Sequence, residues 1–372
     1  MPISYPYTRY TGIWTLQQAH DAIAAGTWPT IGPALFAWGS GNGGVLGLGN
    51  TTSYSSPKQV GALKAWLRLS ANYYQTFAVS TSGSLWACGS NSYGALGLGN
   101  TTAYSSLKQV GSGTTWSIVD AGRNHTLALR TDGTLWTWGY NAQGQIGNGT
   151  RTDSSTPGQV GALTTWTAIS GGANHSLAIS DGRLYAFGRN HRGQLGTGNT
   201  TEYSSPKQVG SLTTWVAVAT APSSSFAIKT DGTMWSWGDN GSGTLGLGNN
   251  TYYSSPKQIG ALTTWSKVNA SANNGGFVLA LKTDGTMWIW DAGTKSPVQV
   301  GVSTTWSQIE AGWGAAYAIQ NTGTLWAWGR GNEGQLGLGN TTTYGSPKQV
   351  GALTSWLGVA GGFYSSKAIA SV

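Results

Sequence analysis

Seven times along the chain a short line of the pattern small-Leu-Trp-x-Trp-Gly returns in nearly the same form. The fullest copy is Asp132-Gly133-Thr134-Leu135-Trp136-Thr137-Trp138-Gly139, and relatives of it begin at Ala34, Ser84, Arg183, Thr233, Thr286 and Thr324. A chain that repeats one segment this often builds the same supersecondary unit several times and buries each unit against the next. From Leu35 to Leu85, Leu135, Leu184 and Met234 the spacing is 50, 50, 49 and 50 residues. It then lengthens to 53 at Met287 and shrinks to 38 at Leu325, because the sixth copy runs from Asp291-Ala-Gly-Thr-Lys295 almost directly to Pro297. That copy lacks the Asn-x-x-Gly-x-Leu-Gly loop of the others, which predicts a notch in one rim.

Within a copy, apolar positions alternate in Ile118 to Ala121, Leu127 to Leu129 and Leu135 to Trp138, the period of two that marks strands. Asp132-Gly133, Asp181-Gly182, Asp231-Gly232 and Asp284-Gly285 read as two-residue hairpins between the second and third strands. A fourth short strand follows at Pro-x-Gln-Val. The third strand is apolar or small on both faces, so both faces of each sheet need cover. Small antiparallel sheets that bury two faces against like neighbours about every 50 residues describe a β-propeller better than a sandwich. The ends fit together: residues 356 to 372 supply the first two strands of a copy, and residues 35 to 60 the last two. The expected fold is all-β, a seven-bladed propeller of about four strands per blade closed by a composite N/C-terminal blade, over residues 35–372.

Residues 1–34 read as a separate extension. Thr15 and Gln18 form a capping box, and Gly26 stands before Trp28-Pro29, which predicts one short helix from Leu16 to Ala25. Trp14, Leu16, Ile23 and Trp28 are its candidate docking residues. No basic cluster followed by an apolar run opens the chain and no 18-residue apolar stretch occurs, so a soluble protein without a secretory signal or membrane insertion is expected.

Only 9% of residues are charged, yet the balance is +8. A basic balance raises nucleic acid as a partner. Lys58, Lys108, Lys207, Lys257 and Lys348 occupy one repeat position, however, so the charge is spread around the array and nucleic-acid binding is not expected. Cys88, the single cysteine, stands where most copies carry Trp or Phe, which excludes a disulfide or a cysteine metal site within one chain.

The run Ala121-Gly-Arg-Asn-His-Thr-Leu-Ala-Leu129, followed by Asp-Gly-Thr-Leu-Trp-Thr-Trp-Gly and Asn-x-x-Gly-Gln-Ile-Gly, closely resembles the repeat of the regulator of chromosome condensation (RCC1-like) family. The resemblance covers residues 35 to 372 and implies a seven-bladed propeller. Its members include small-GTPase exchange factors, chromatin binders, enzyme inhibitors and phage or bacterial surface proteins, so it does not single out a function. The copies here are unusually alike, with Asn-Thr-Thr-x-Tyr-Ser-Ser-Pro-Lys-Gln-Val repeated almost verbatim. The stretch Gly12-Ile-Trp-Thr-Leu-Gln-Gln-Ala-His-Asp-Ala-Ile-Ala-Ala-Gly-Thr-Trp-Pro29 is similar to a short module of tailed-phage virion structural proteins.

Candidate sites are few. Of the 20 Trp, 17 fall in three repeat positions and read as packing between blades; Trp14, Trp28 and Trp313 are off register. His125 and His175 share a slot that other copies fill with unrelated residues, so neither reads as a catalytic base. No Ser/His/Asp arrangement, no metal-ligand spacing and no phosphate-binding loop stands out, so no catalytic, metal or cofactor residue is assigned. Tyr54, Tyr104, Tyr203, Tyr253 and Tyr344, with their lysines four residues on, should gather on one rim. They are either a contact ring for a protein or glycan, or rings folded onto their own blades.

These features favour a non-enzymatic virion or surface-appendage propeller, held to other virion proteins by its N-terminal segment and acting in assembly or host attachment. The alternative is a cytoplasmic RCC1-like binding module that regulates or inhibits a protein partner, a GTPase or another enzyme.

Overall fold

The computed structural model describes residues 32–62, 65–271 and 276–372. They form seven four-stranded antiparallel sheets. Each sheet packs on the next, and the last on the first, so the ring closes. Blades I to VII are numbered here from the composite one. Blade I takes Trp356–Gly361 and Ser365–Ser371 from one end of the chain and Pro33–Gly39 and Tyr54–Gln59 from the other. Its two halves are joined along seven residue pairs, from Pro33 with Ser371 to Gly39 with Ser365. This pairing leaves no open sheet edge at the join. Blades II, III, IV, V and VII span 66–109, 116–159, 166–208, 215–258 and 306–349, and blade VI is Trp265–Ala270, Val278–Lys282, Met287–Trp290 and Val298–Gln299. The predicted helix at Leu16 to Ala25, like Trp14, Leu16, Ile23 and Trp28, lies outside the described residues.

The expectation of two-residue Asp-Gly hairpins is corrected at three of the four. In blade III the turn holds residues 131–133: the Arg130 N–H donates to Thr134 O, the Gly133 N–H donates to Arg130 O, and Gly133 sits at φ +76°. That left-handed position suits glycine and closes a three-residue hairpin. Asp132 stiffens it by accepting from the Thr134 N–H at 3.0 Å and hydroxyl at 2.6 Å, while Thr134 Oγ1 accepts from Trp136 Nε1 at 2.8 Å. Asp231 and Asp284 repeat the device. Blade IV has the two-residue form: Ser180 pairs directly with Arg183 across Asp181 and Gly182, at φ 49° and 69°. One residue fewer in this turn is why the spacing from Leu135 to Leu184 is 49.

The core lies between blades. Trp138 of blade III, fully buried, donates Nε1–H to Ala95 O of blade II at 2.7 Å; Trp38, Trp237 and Trp290 do the same to the blade before each. The seven tryptophans that open the first strands sit edge to face on the aromatic ring of their own third strand, as Trp66 does on Trp86 at 6.2 Å and Trp356 on Phe36 at 5.5 Å. Such pairs add to the area they bury. Gly97 shows how tightly the loops close over the indoles: a Cβ there would stand 2.8 Å from Trp138 Nε1.

The loops between third and fourth strands clasp the next blade, as when the Gly149 N–H donates to Ser204 O at 2.7 Å. Blade VI receives such a clasp, from Gly248 to Lys295 O, but has no loop to extend one to blade VII. The predicted notch therefore lies where residues 344–345 of blade VII would have been covered.

Candidate functional site

Strand pairing sorts the connections onto two faces. Gly139 at the end of a third strand pairs with both His125 and Ser154, so the loops between first and second strands and those between third and fourth strands share one face. The hairpins and the blade-to-blade connections occupy the other. The innermost first strands of all seven blades line a central cavity of about 230 Å³, which also includes Tyr73 and Pro222 from the first-face loops.

A belt of side chains laces the channel wall. Ser70 Oγ accepts from the Ala121 N–H of the next blade at 3.0 Å, Asp120 from Gly171 at 2.8 Å, Asn269 from Ala311 at 2.9 Å and Glu310 from Gly361 at 3.4 Å. All four residues stand at the same place in their strands, four after the opening Trp. Burial pushes the carboxyl of Asp120 up to about 6 and that of Glu310 up to about 8, against backbone and side-chain hydrogen bonds that pull both down. Sequence reading passed over both, because neither stands in an Asp-Gly turn or any other recognisable motif.

At one side of the channel mouth the first-face loops of blades VII, I and II bring five aromatic rings together. Trp313 packs on Phe363 at 4.5 Å and on Tyr364 at 4.9 Å, and Phe363 stacks on Tyr73 at 5.4 Å with an interplanar angle of 17°. Tyr74, which is 43% exposed, continues the arc. Two arginines end it: Arg330 lies over Trp313 at 4.6 Å and Tyr364 at 4.9 Å, and Arg123 of blade III over Tyr73 at 4.9 Å. Loop backbones are stitched together beneath, through Trp313 N–H to Gly362 O and Phe363 N–H to Tyr73 O. Tyr73 itself holds φ 25°, unusual for a side chain of its size and strained by roughly 1–3 kcal/mol. Across the mouth, the corresponding described positions in blades IV and V are Ala173 and Asn174, and Pro222 and Ser223.

Trp313, off register in the sequence, is thus a member of a cluster. The five rim tyrosines are placed differently. Tyr54, Tyr104, Tyr203, Tyr253 and Tyr344 are each half-buried and pack against blade cores. In each, the lysine four residues on lies over the ring at 5.4 to 5.8 Å. Asn100, Asn199, Asn249 and Asn340 also reach the hydroxyls of their tyrosines. These contacts occupy both the rings and the repeated lysines within their own blades.

His125 and His175 are buried, with Nε2 at 2.9 and 3.0 Å from Ser176 and Ser225 of the following blades, and burial lowers both imidazoles to about 3. They stay neutral and structural through the physiological range. Lys367 breaks the repeat: it is fully buried in the slot held elsewhere by Phe77, Leu127, Leu177, Phe226, Leu279 and Tyr317. Its Nζ donates to Ser365 Oγ at 2.6 Å, and burial pushes the ammonium down to about 7. Its electrostatic partner is the buried thiol of Cys88 in blade II, pushed up to about 12. Among the described residues no three His, Cys, Asp or Glu stand close enough to hold a metal ion, and no helix is long and apolar enough to cross a membrane.

The geometry defines a closed, seven-bladed propeller with one chemically distinct side to its channel mouth. Six stretches, 34–79, 82–129, 132–179, 181–228, 231–278 and 322–369, match the regulator of chromosome condensation (RCC1) repeat, and the chain belongs to that family. The unmatched 279–321 includes the shortened outer half of blade VI. Among solved structures, human WBSCR16 is similar at 20% identity and TM-score 0.81, over 91% of this chain and 99% of that one. Prp20p from Saccharomyces cerevisiae, described with its binding properties to Gsp1p and histones, is similar at 19% identity and TM-score 0.79, over 92% of each chain. Yeast RCC1 (Prp20) in the structure with Kap60 aligns at 18% identity and TM-score 0.79, over 99% of this chain and 96% of that one. At such identities the likeness carries the fold. No curated protein matches the chain in sequence.

Proposed function

We propose that the chain is a non-enzymatic binding module that docks a protein partner on its first face and regulates or inhibits it, the partner being a GTPase or another enzyme. The observation that carries this reading is the arc of Trp313, Phe363, Tyr364 and Tyr73 between two arginines. Tryptophan, tyrosine and arginine dominate the binding energy of protein interfaces when they cluster near the centre of a patch. A closed ring supplies the rigid scaffold such a patch needs, so little ordering free energy is lost on docking. Family membership supports the same reading, as does the binding of other proteins described for Prp20p. The virion reading drew on residues 1–34, of which 1–31 lie outside the described residues, and no similar protein favours it.

Photo-cross-linking in host lysate tests the choice of face. A photoreactive residue placed at Trp313 should give one protein adduct that saturates at one partner per chain, and whose catalytic rate or nucleotide exchange shifts when the propeller is added. The control position is Val302, 93% exposed on the opposite face. Adducts from position 302 alone, or from neither position, reject the reading.

A further inference from the structure

Resting on that reading, we propose that the arc is a docking site for an acidic polypeptide segment that carries aromatic or large apolar side chains. Its carboxylates would be held by Arg123 and Arg330 and its apolar groups by the rings between them. Three features of the site point to this chemistry.

The first is the state of the arginines. The two guanidiniums lie over Tyr73, and over Trp313 and Tyr364. The ion pairs among the described residues are made by Arg151, Arg183 and Arg192, and neither Arg123 nor Arg330 forms one. A guanidinium already held against aromatic rings loses less side-chain freedom on taking a carboxylate in a bidentate fork. Asp120 and Glu310, which line the cavity, are engaged by the backbone N–H groups of Gly171 and Gly361.

The second feature is the surface between the arginines. Five rings in mutual contact across three blades offer flat apolar area next to polar tips, which favours an occupant with apolar side chains over a purely charged one.

The third is the open rim. Blade VI lacks the loop that would have lain against residues 344–345 of blade VII, the blade that contributes Trp313 and Arg330. Among the described residues, the outer strand of the blade that carries Trp313 and Arg330 therefore lacks the loop that covers its equivalents in other blades.

A single-stranded nucleic acid would also stack on aromatic rings, but it needs a basic track along its backbone. Here the five repeated lysines lie over tyrosines of the outermost strands, one per blade, and form no track to the channel mouth. The net charge of +8 adds long-range attraction for an acidic segment without supplying such a path.

Fluorescence anisotropy on the full chain tests this with four labelled probes: a random Glu–Tyr copolymer, poly-glutamate, a random Lys–Tyr copolymer and a single-stranded oligonucleotide. The Glu–Tyr copolymer should bind most tightly, weaken as salt rises, and lose about tenfold or more in affinity with Arg123→Glu, with Trp313→Ala and with Arg330→Glu. Arg123 is exposed, so its reversal leaves the fold intact, and Arg123→Lys should give an intermediate loss because it keeps charge but not the fork. Equal or tighter binding of the Lys–Tyr copolymer, poly-glutamate or the oligonucleotide overturns the proposal, as does an Arg123→Glu chain that binds the Glu–Tyr copolymer unchanged. A protein that still cross-links at position 313 in that event leaves the binding-module reading standing and removes only the acidic segment.

Discussion

Between blades V and VI, Phe226 meets Trp290 edge to face at 6.3 Å; between blades I and II the same two slots hold Lys367 and Cys88. At the first interface a large apolar ring fills the gap and the indole N–H also bonds across it, to Thr244 O at 2.8 Å. At the second, a thiol at 3.8 Å from Val45 O and a buried ammonium do both tasks poorly. The second interface is also a junction of the ring closure, since Lys367 lies on the strand that pairs with Pro33–Gly39. Two otherwise equivalent interfaces thus differ in how much they hold the ring together, and the difference can be pushed from either side.

The largest effect is expected at a regular interface. Trp237→Ala removes a fully buried indole and its bond to Gln194 O at 2.9 Å, and should cost about 3–5 kcal/mol in denaturant unfolding. A loss below roughly 1 kcal/mol would show that the interface relaxes around the hole and that the tryptophans matter less than their burial suggests.

Lys367→Leu acts in the opposite direction. The ammonium falls to about 7 in the folded chain, below the ordinary lysine value of 10.5, so the unfolded chain binds more protons between those limits. Stability therefore rises with pH across that window, and the burial cost is at its full size below it. Replacing Lys367 with Leu should raise stability by about 2–4 kcal/mol at pH 6 and by little at pH 10. A gain that stays the same at both pH values would mean the lysine contributes by its shape and not by its charge.

How much of this was legible in the sequence follows from whether the determinants lie along one strand or across two blades. Strand number, ring closure and the shortened sixth blade could all be read, because alternation within a copy, the half-copies at the two ends and the spacing of Leu135 and its equivalents each lie along the chain. The hairpin type was misread, since Asp-Gly suits both a two-residue turn and a three-residue turn with glycine last. Cys88 stood out as a substitute for Trp, and Lys367 could have been seen by aligning Ser365-Ser-Lys-Ala-Ile369 with His125-Thr-Leu-Ala-Leu129. Joining the two required knowing that the second strand of one blade faces the third strand of the next. The arc was least legible. Tyr73, Trp313 and Phe363 each stand seven residues after the opening Trp of their copies, but the same slot holds Arg123, Ala173 and Pro222 elsewhere, so it does not read as one aromatic position.

The smallest effect concerns the thiol. Cys88 is fully buried and its thiol is pushed up to about 12, so at pH 8 it is protonated and shielded. A thiolate-directed reagent should then label it only when the seam between blades I and II opens. Lys367→Leu should slow labelling at pH 7 by about tenfold or more if it stabilises the opened element by the same free energy as the whole ring. An unchanged rate beside a raised unfolding midpoint would show that local opening does not pass through this seam. The ring would then part elsewhere first, and the missing clasp between blades VI and VII is the next place to probe.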